Sequence, residues 1–280
     1  MEDLVRRRRM VERRLEDALA DVEPQALAQS VDHVTFAGGK RVRPTVTLLT
    51  CEALGGEPED AVDFAAGIEL VHTASLVVDD IIDESPVRRG VESAWAKFGV
   101  GAAIIASDGL LGEAFELFSS DPAALRTVAN AMVELGQGEA VELVDRPDDE
   151  ATYRELARRK TGALFRAAAE LGAVAAGRSE EAGDAVGEYA ERVGIAFQMR
   201  DDVLDATAEA DVLGKPIGRD EQMDRPSLLE VTDLQPYEAN ERARAEADAA
   251  LEALDRIDHT DTVATEYLEE LAEFVVDRER

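Results

Sequence analysis

Three aspartates on one predicted helix are the residues in this chain best suited to chemistry. The segment LVVDDIIDESPVRRG, which begins at Leu76, places Asp79, Asp80 and Asp83 inside an otherwise apolar run. On a helix the carboxylates of Asp79 and Asp83 lie one above the other, with Asp80 beside them. Carboxylates this close repel one another and resist burial, so they need a partner of high positive charge. A hard divalent cation fits best, and Mg²⁺ usually bridges one or two carboxylates to substrate phosphates.

Two arginines follow this first Asp cluster (Asp79, Asp80 and Asp83). Arg88 and Arg89 precede Gly90 in a short loop, and their planar guanidinium groups suit phosphate oxygens. The segment therefore predicts that a metal ion and a diphosphate share one site.

A second Asp cluster has the same spacing. Asp201, Asp202 and Asp205 lie in FQMRDDVLD, again in an apolar helical run, and a basic, Gly-flanked loop containing Lys215 follows. Composition alone would produce roughly 0.2 such patterns in a chain like this one, so two copies with similar surroundings are a specific signal.

The elements that must position these clusters are predicted to be helices. The chain is rich in Ala, has only nine prolines, and rarely alternates β-branched with polar residues, which favours an all-α fold in one domain over residues 1–280. Asp121 and Pro122 have the residue types of an N-cap and a first helical position. The predicted helices span 3–20, 61–83, 100–118, 122–144, 151–176, a segment from Ser179 to the second Asp cluster, 236–254 and 262–277. Residues 206–232 are predicted to be the longest irregular stretch.

Other polar residues can be placed relative to the two clusters. Lys40 and Arg43, in GGKRVRP, lie near the start of a predicted helix and could bind an anion there. His72 precedes Asp79 by two turns and shares its face. Gln198 lies one turn before the second Asp cluster. Gln137, Glu139 and Glu142 fit either a cavity or a solvated face.

A glycine interrupts the predicted helix over residues 151–176. Lys160 and Thr161 stand directly before Gly162. Because glycine in a helix interior costs stability, this position predicts a kink or a close approach.

The net charge of −31 argues against a nucleic-acid-binding protein. Nucleic acid is an unsuitable partner for so acidic a chain. The charge leads to the hypothesis of a halophilic source, whose saline cytoplasm screens the repulsion between the protein's own carboxylates.

No apolar run reaches membrane-spanning length and no signal peptide opens the chain, so we expect a soluble cytoplasmic protein. The arginine run over residues 6–14 fits a solvated face or a subunit contact better than a membrane surface. Cys51 fits a buried thiol.

The chain resembles the trans-isoprenyl diphosphate synthases of the polyprenyl synthetase family over nearly its whole length. The matching segments, in the family's order, are GGKRVRP, HTASLVVDDIID, RRG, KTGALF, and FQMRDDVLD followed by GKPIG. The resemblance implies an all-α isoprenoid synthase fold, with both Asp clusters facing across the mouth of a deep central cavity, usually in a homodimer. It also implies a Mg²⁺-dependent prenyltransferase that condenses isopentenyl diphosphate with an allylic diphosphate, head to tail.

The resemblance also implies roles for individual residues. Both Asp clusters would hold Mg²⁺ on the allylic diphosphate, with Asp205 the least direct of the six. Thr161 and Gln198 would supply dipoles for the carbocation in a cavity closed to water. The remaining expected contacts are Arg88, Lys160 and Lys215 to the allylic diphosphate, and Lys40, Arg43, His72 and Arg89 to isopentenyl diphosphate.

The resemblance further bears on product length and on departures from the family pattern. Relatives that stop early often have an aromatic residue five positions before the first Asp, whereas this chain has Ala74, followed by Ser75. We therefore expect geranylgeranyl diphosphate or a longer product. Val78 stands where a His is common, and residues 224–227 replace a KxT segment.

Three alternatives stay open from the sequence. A class I terpene cyclase would share the first Asp cluster, but its second motif resembles NDxxSxxxE rather than DDVLD. A non-catalytic subunit of a heteromeric synthase fits the missing KxT segment but not two intact Asp clusters. An acidic protein that buffers cations leaves the placement of Arg88, Arg89 and the lysines unexplained.

Overall fold

A computed structural model of the chain describes residues 2–212, 226–257 and 262–277. Within these ranges it has thirteen α-helices, two π-helical segments and one two-stranded hairpin, which confirms the predicted all-α class. The amino-terminal elements are α1 (Glu2–Leu19), α2 (Gln25–Thr35), α3 (Val42–Ala53), α4 (Pro58–Ile82), β1 (Val87–Arg88), β2 (Val91–Glu92), α5 (Ala94–Phe98) and α6 (Val100–Phe118). The others are α7 (Pro122–Ala140), π1 (Val141–Asp145), α8 (Glu150–Ala157), π2 (Arg158–Gly162), α9 (Ala163–Ala175), α10 (Glu180–Val212), α11 (Leu228–Val231), α12 (Pro236–Asp255) and α13 (Val263–Asp277).

The core is built from long helices that approach one another closely at small residues. A Cβ added to Gly172 on α9 would lie 2.5 Å from the Thr47 carbonyl oxygen, so α3 and α9 are nearly in backbone contact. A Cβ on Gly194 of α10 would lie 2.9 Å from Cα of Gly162. The predicted close approach at Gly162 is therefore confirmed, and it brings π2 directly against the helix that carries the second Asp cluster. Cys51 is fully buried in this core, as expected.

Local sequence signals set several helix boundaries. The Asp121 side chain accepts a hydrogen bond from the Ala123 backbone N–H at 2.7 Å, which confirms it as the N-cap of α7. The Ser179 hydroxyl accepts one from the Ala182 N–H at 3.4 Å at the start of α10. Other boundaries differ from the prediction. Within the stretch 206–232 that was predicted to be irregular, residues 206–212 belong to α10 and Leu228–Val231 form α11.

Two predicted helices contain π-helical turns instead of continuing as regular α-helices. The helix predicted over 122–144 passes into π1 after Ala140, and the one predicted over 151–176 is interrupted by π2. A π turn inserts one extra residue into a helix and is frequent at functional sites. Both turns here lie beside the two Asp clusters.

The expectation that no apolar run reaches membrane-spanning length is not met by α4, the one helix in the described ranges that is long and apolar enough to cross a membrane by length and composition alone. In this fold 67% of its apolar window is buried against other parts of the protein. Its last turns carry Asp79 and Asp80.

Candidate active site

The first Asp cluster forms the end of α4, and the β1–β2 hairpin returns an arginine to it. Arg89 and Gly90 both have positive φ, at 52° and 81°, which lets the chain reverse between the two strands. Arg88 Nε then donates to Asp80 Oδ1 at 2.6 Å. Burial raises the pKa of Asp80, and the guanidinium of Arg88 opposes that rise. The predicted association of Arg88 with this cluster is thus present in the fold.

The second Asp cluster is built around a heavily hydrogen-bonded carboxylate. Asp202 Oδ2 accepts from the Tyr153 hydroxyl at 2.6 Å and from the Leu228 backbone N–H at 2.8 Å. Its other oxygen, Oδ1, accepts from Gln198 Nε2 at 3.1 Å. Desolvation raises the pKa of Asp202 to about 6, although all three hydrogen bonds favour the ionised form. Asp202 therefore joins α8, α10 and α11 at one point.

Lys160 lies between the two clusters. Its ammonium group pairs with Glu142 of π1, and it lies 3.3 Å from a carboxylate oxygen of Glu139. Desolvation raises the pKa of Glu139, and the nearby charge of Asp79 adds to this rise while Lys160 opposes it. The sequence left open whether Glu139 and Glu142 face a cavity or solvent. In the structure both carboxylates form ion pairs with Lys160.

A second electrostatic link reaches the other cluster. Burial raises the pKa of Tyr153, and the charges of Asp202, Asp201 and Glu142 add to it. Glu142 is therefore close to Tyr153 and the second Asp cluster on α10. Glu142 also shares Lys160 with Glu139, which is close to Asp79 on α4. The carboxylates of α4 and α10 thus lie at the same end of the helical bundle.

Thr161 and Gln198 extend the hydrogen bonding of the second cluster. The Thr161 hydroxyl donates to Gln198 Oε1 at 2.9 Å, and the amide nitrogen of the same Gln198 side chain donates to Asp202. Thr161 is 7% exposed. The two residues predicted to supply dipoles are in direct contact.

A separate arginine cluster surrounds His72. Arg43 Nη1 lies 3.1 Å from His72 Nε2, and its guanidinium carbon lies 4.6 Å from the centroid of the Phe165 ring. Desolvation, then the charges of Arg43 and Arg89, lower the pKa of His72 well below its usual value of 6.5. A guanidinium only donates, so the neutral His72 accepts. In a chain of net charge −31 this cluster of positive charge is local and specific.

The glycine loop before α3 closes one side of the arginine cluster. Arg89 Nη1 donates to the Gly38 carbonyl, and a Cβ added to Gly39 would lie 2.6 Å from that same nitrogen. Lys40 is exposed, and its Nζ lies 5.8 Å from the centroid of the Phe274 ring on α13. Arg43, His72 and Arg89 therefore come together as predicted, whereas Lys40 lies at the edge toward α13.

Two buried features of this site escaped the sequence analysis. Arg41, between Lys40 and Arg43, donates from Nη1 to Glu69 at 2.6 Å and from Nη2 to the Thr35 carbonyl at 2.6 Å. This buried pair fixes the loop rather than offering a cation to a ligand. Tyr153 was the other omission, since its partner Asp202 is 49 residues away.

The predicted chain-length residues lie on α4 just below the first Asp cluster. Ala74 is 1% exposed, and its carbonyl accepts from the Ser107 hydroxyl of α6 at 3.1 Å. Ser75 is partly buried and donates to the His72 carbonyl at 2.8 Å. Lys215 lies outside the described residues, as do Asp224 and Arg225 of the segment in place of KxT.

The donor set of the two clusters suits a hard cation. Each cluster offers carboxylate oxygens from residues four apart, but no group of three His, Cys, Asp or Glu residues in the described ranges converges closely enough to hold a metal ion unaided. Mg²⁺ typically uses one or two carboxylates and completes its octahedron with water and substrate phosphates. The chemistry and number of these ligands therefore fit Mg²⁺ bound together with a diphosphate.

Comparison with known proteins finds relatives of similar sequence and similar fold. Residues 24–268 match the family model described as polyprenyl synthetase. A geranylgeranyl pyrophosphate synthase of Geoglobus acetivorans is 33% identical over 98% of this chain and 97% of its own. The crystal structure of geranylgeranyl pyrophosphate synthetase from Pyrococcus horikoshii superposes with a TM-score of 0.89 at 31% identity, covering 99% of this chain and 98% of its own. A Caulobacter crescentus polyprenyl synthase, complexed with calcium and isoprenyl diphosphate, gives 0.86 at 29% identity, covering 100% and 98%.

Proposed function

Because this chain belongs to the polyprenyl synthetase family and is a trans-prenyltransferase, we propose how its described residues divide the reaction between two diphosphate sites. The proposal rests on one observation: the two Asp clusters lie at the same end of the bundle, and α4, which carries the first of them, also carries His72 of the arginine cluster. One site binds the allylic diphosphate that ionises, and the other binds the isopentenyl diphosphate that attacks. The relatives are named as synthases, so the alternative of a non-catalytic subunit is not favoured.

The allylic diphosphate binds between the two Asp clusters. Asp79 and Asp83 from α4, and Asp201 from α10, would hold Mg²⁺, which supplies Lewis-acid stabilisation of the departing diphosphate. The Caulobacter relative is complexed with calcium and isoprenyl diphosphate, which supports the use of a divalent cation together with a diphosphate. Arg88 and Lys160 add positive charge beside it, and Lys160 then exchanges its contacts with Glu139 and Glu142 for diphosphate oxygens.

Isopentenyl diphosphate binds at the arginine cluster. Arg43 and Arg89 supply guanidinium donors, and the neutral His72 stays bound to Arg43, which fixes the direction of that side chain. Lys40 at the rim adds charge. The double bond of isopentenyl diphosphate attacks the allylic cation, and the departed diphosphate is the expected base for the proton that is lost.

We further propose that the product is geranylgeranyl diphosphate or longer. The position five residues before the first Asp is the small Ala74, and Ser75 follows it, so no large side chain from these positions limits the growing chain.

Incubation of the purified protein in high KCl with Mg²⁺, labelled isopentenyl diphosphate and farnesyl diphosphate tests the reaction. We expect a prenyl diphosphate of twenty carbons or more, and no product without the metal. The double variant Asp79→Asn and Asp83→Asn should lose activity by on the order of 10²- to 10³-fold. Asp184→Asn is the matched control, because Asp184 pairs with Arg166 on an exposed surface. Full activity of the double variant would contradict the assignment.

We also propose that the active form is a homodimer joined through α6. Ile104 and Ile105 are 49% and 57% exposed and Phe115 is 38% exposed, on one face of this apolar helix. Gly101 and Gly112 lie on the same face with open space where a Cβ would be, which permits close helix packing. A second copy is favoured as the occupant because the family resemblance implies a homodimer. Burial of this face would have to outweigh the charge repulsion between two acidic chains.

Light scattering after size exclusion tests the dimer in molar KCl. Ile105→Glu should convert the dimer to a monomer, because it buries a charge against an apolar partner. Val263→Glu on α13 introduces the same charge at a residue that is 51% exposed and should leave the dimer intact. A monomeric wild-type protein would contradict the proposal.

A further inference from the structure

A continuous polar network in the described residues runs from Tyr153 to Thr161 through Asp202 and Gln198. Tyr153 is 2% exposed, and its hydroxyl lies 2.6 Å from Asp202 Oδ2. The other steps are Gln198 Nε2 to Asp202 Oδ1 at 3.1 Å and Thr161 Oγ1 to Gln198 Oε1 at 2.9 Å. The four residues come from α8, π2 and α10.

Hydrogen-bonding chemistry fixes the direction of this network. An ionised carboxylate only accepts, and Asp202 receives donors from Tyr153, the Leu228 backbone and Gln198. The Gln198 amide must therefore turn its NH₂ group toward Asp202 and its oxygen toward Thr161. Thr161 then uses its single hydroxyl proton on Gln198, and its oxygen has only lone pairs to offer any other group.

We propose that Tyr153 is a positioning residue that acts through Asp202 to fix the orientation of the Gln198 amide and thereby the proton of Thr161. This inference rests on the proposed function, in which an allylic cation forms, and on the role that the family resemblance implies for Thr161 and Gln198 as dipoles near that cation. An oxygen that presents lone pairs stabilises a neighbouring positive charge, whereas a hydroxyl turned the other way would present its proton. Tyr153 thus contributes to catalysis without touching the substrate.

The alternative is that Tyr153 merely fills a buried space between α8 and α10. The chain contains a matched control for this alternative. Tyr189 on α10 is fully buried, and its hydroxyl donates to the Leu268 carbonyl at 2.6 Å, away from both Asp clusters. Tyr153→Phe and Tyr189→Phe remove the same atom from equally buried rings, so a purely structural contribution would be similar in both.

Steady-state kinetics provide the first test. Tyr153→Phe should lower kcat by roughly 10-fold with little change in the KM of either diphosphate, since outer-shell partners commonly contribute this much. Tyr189→Phe should leave kcat within 2-fold of wild type, by the same comparison. In a Gln198→Met background the effect of Tyr153→Phe should disappear, because both changes break the same network. An undiminished 10-fold effect in that background would overturn the proposal.

A second test needs neither metal nor catalysis. The chain has six glutamines, so protein labelled with ¹⁵N at glutamine side chains gives few amide signals, and Gln198→Met identifies that of Gln198. In the metal-free protein Tyr153→Phe should shift this signal and Tyr189→Phe should not. An unchanged signal would overturn the proposal even if prenyl transfer is observed, and a shifted signal would support it even if prenyl transfer fails. Should Tyr153→Phe not fold, Asp202→Asn replaces it in the same comparison, and an unchanged Gln198 signal would again overturn the network.

Discussion

Arg88 Nε lies 2.6 Å from Asp80 Oδ1, so the middle carboxylate of the first Asp cluster is held by a cation eight residues later in the chain. Asp80 is 4% exposed, and burial raises its pKa. The β1–β2 hairpin reverses the chain after α4 and thereby places Arg88 beside Asp80. One side chain thus neutralises a buried carboxylate and supplies charge to the proposed diphosphate site.

Replacing Arg88 by Lys tests this double role. The ammonium group keeps the charge but loses the planar geometry of the guanidinium, so we expect a loss of roughly 10- to 100-fold in kcat/KM for the allylic diphosphate. The metal concentration needed for half-maximal rate should rise, because Asp80 is less well fixed. Arg244→Lys is the control, since Arg244 pairs with Asp277 at 2.7 Å on the surface. Equal activity of the two variants would refute the role of Arg88.

Gly39→Ala should weaken isopentenyl diphosphate binding selectively. The added Cβ would lie 2.6 Å from Arg89 Nη1, so the guanidinium has to move. We expect the KM for isopentenyl diphosphate to rise by roughly 10-fold, as a lost charge-assisted contact implies, while the KM for the allylic diphosphate stays unchanged. Gly38→Ala shares the strained backbone, with φ of 97° against 128°, but has nothing within 4 Å of the new atom. A similar rise in both variants would assign the effect to backbone strain.

The all-α fold was predictable because it depends on local, strongly patterned signals, whereas the grouping of Arg43, His72 and Arg89 followed only from the family resemblance. The Asp79 and Asp83 pair and the Asp121 cap follow from helical spacing and residue type alone. His72 lies on the same helix as Asp79, as predicted, but no local pattern indicated that Arg43, 29 residues away, would be its hydrogen-bond partner.

Other features depend on long-range packing and could not be predicted from spacing. Tyr153 reaches Asp202 across 49 residues, and Arg41 reaches Glu69 across 28. Apart from Gly162, no residue pattern predicted the π2 turn, because a single inserted residue changes the phase of a helix once and the short segments on either side do not define that phase.

His72 should make the folded state less stable in mild acid. Its pKa is lowered in the folded protein, so below the unfolded value of 6.5 the unfolded chain binds the proton and the folded chain does not. The stabilising contribution is therefore complete above pH 6.5 and declines as pH falls, by up to about 1.4 kcal/mol per pH unit. Urea unfolding of wild type and His72→Asn between pH 7.5 and 5 measures this. A constant difference in the free energy of unfolding across that range would contradict the prediction.

The net charge of −31 should make stability depend strongly on salt. Screening of repulsion among scattered carboxylates stabilises the compact state, whereas salt weakens surface ion pairs such as Arg244 to Asp277. Repulsion dominates because 61 acidic residues face 30 Lys and Arg. We expect the midpoint of thermal unfolding to rise steadily from dilute buffer to molar KCl. A midpoint that stayed level or fell would remove the basis for a halophilic source.

Product length should respond to bulk at Ala74 and Ser75. Ala74 is 1% exposed at the contact between α4 and α6, so a larger side chain there costs about 1–3 kcal/mol in overpacking. Ser75 is partly buried and has more room. With dimethylallyl diphosphate as primer, so that products shorter than twenty carbons can form, Ala74→Leu and then Ala74→Phe should give progressively shorter products. Ser75→Phe should also shorten them, and all products are read by chromatography after removal of the diphosphate.

The control for these variants is Ala74→Ser, which adds a single oxygen and should keep the wild-type product pattern. A folded Ala74→Phe variant with that same pattern would mean that the growing chain does not pass this turn of α4. If Ser75→Phe shortens the product and Ala74→Phe does not, the prenyl chain runs past the side of α4 that carries Ser75. Ala74 would then only pack against α6. The pair of variants therefore locates the path of the prenyl chain relative to one helical turn.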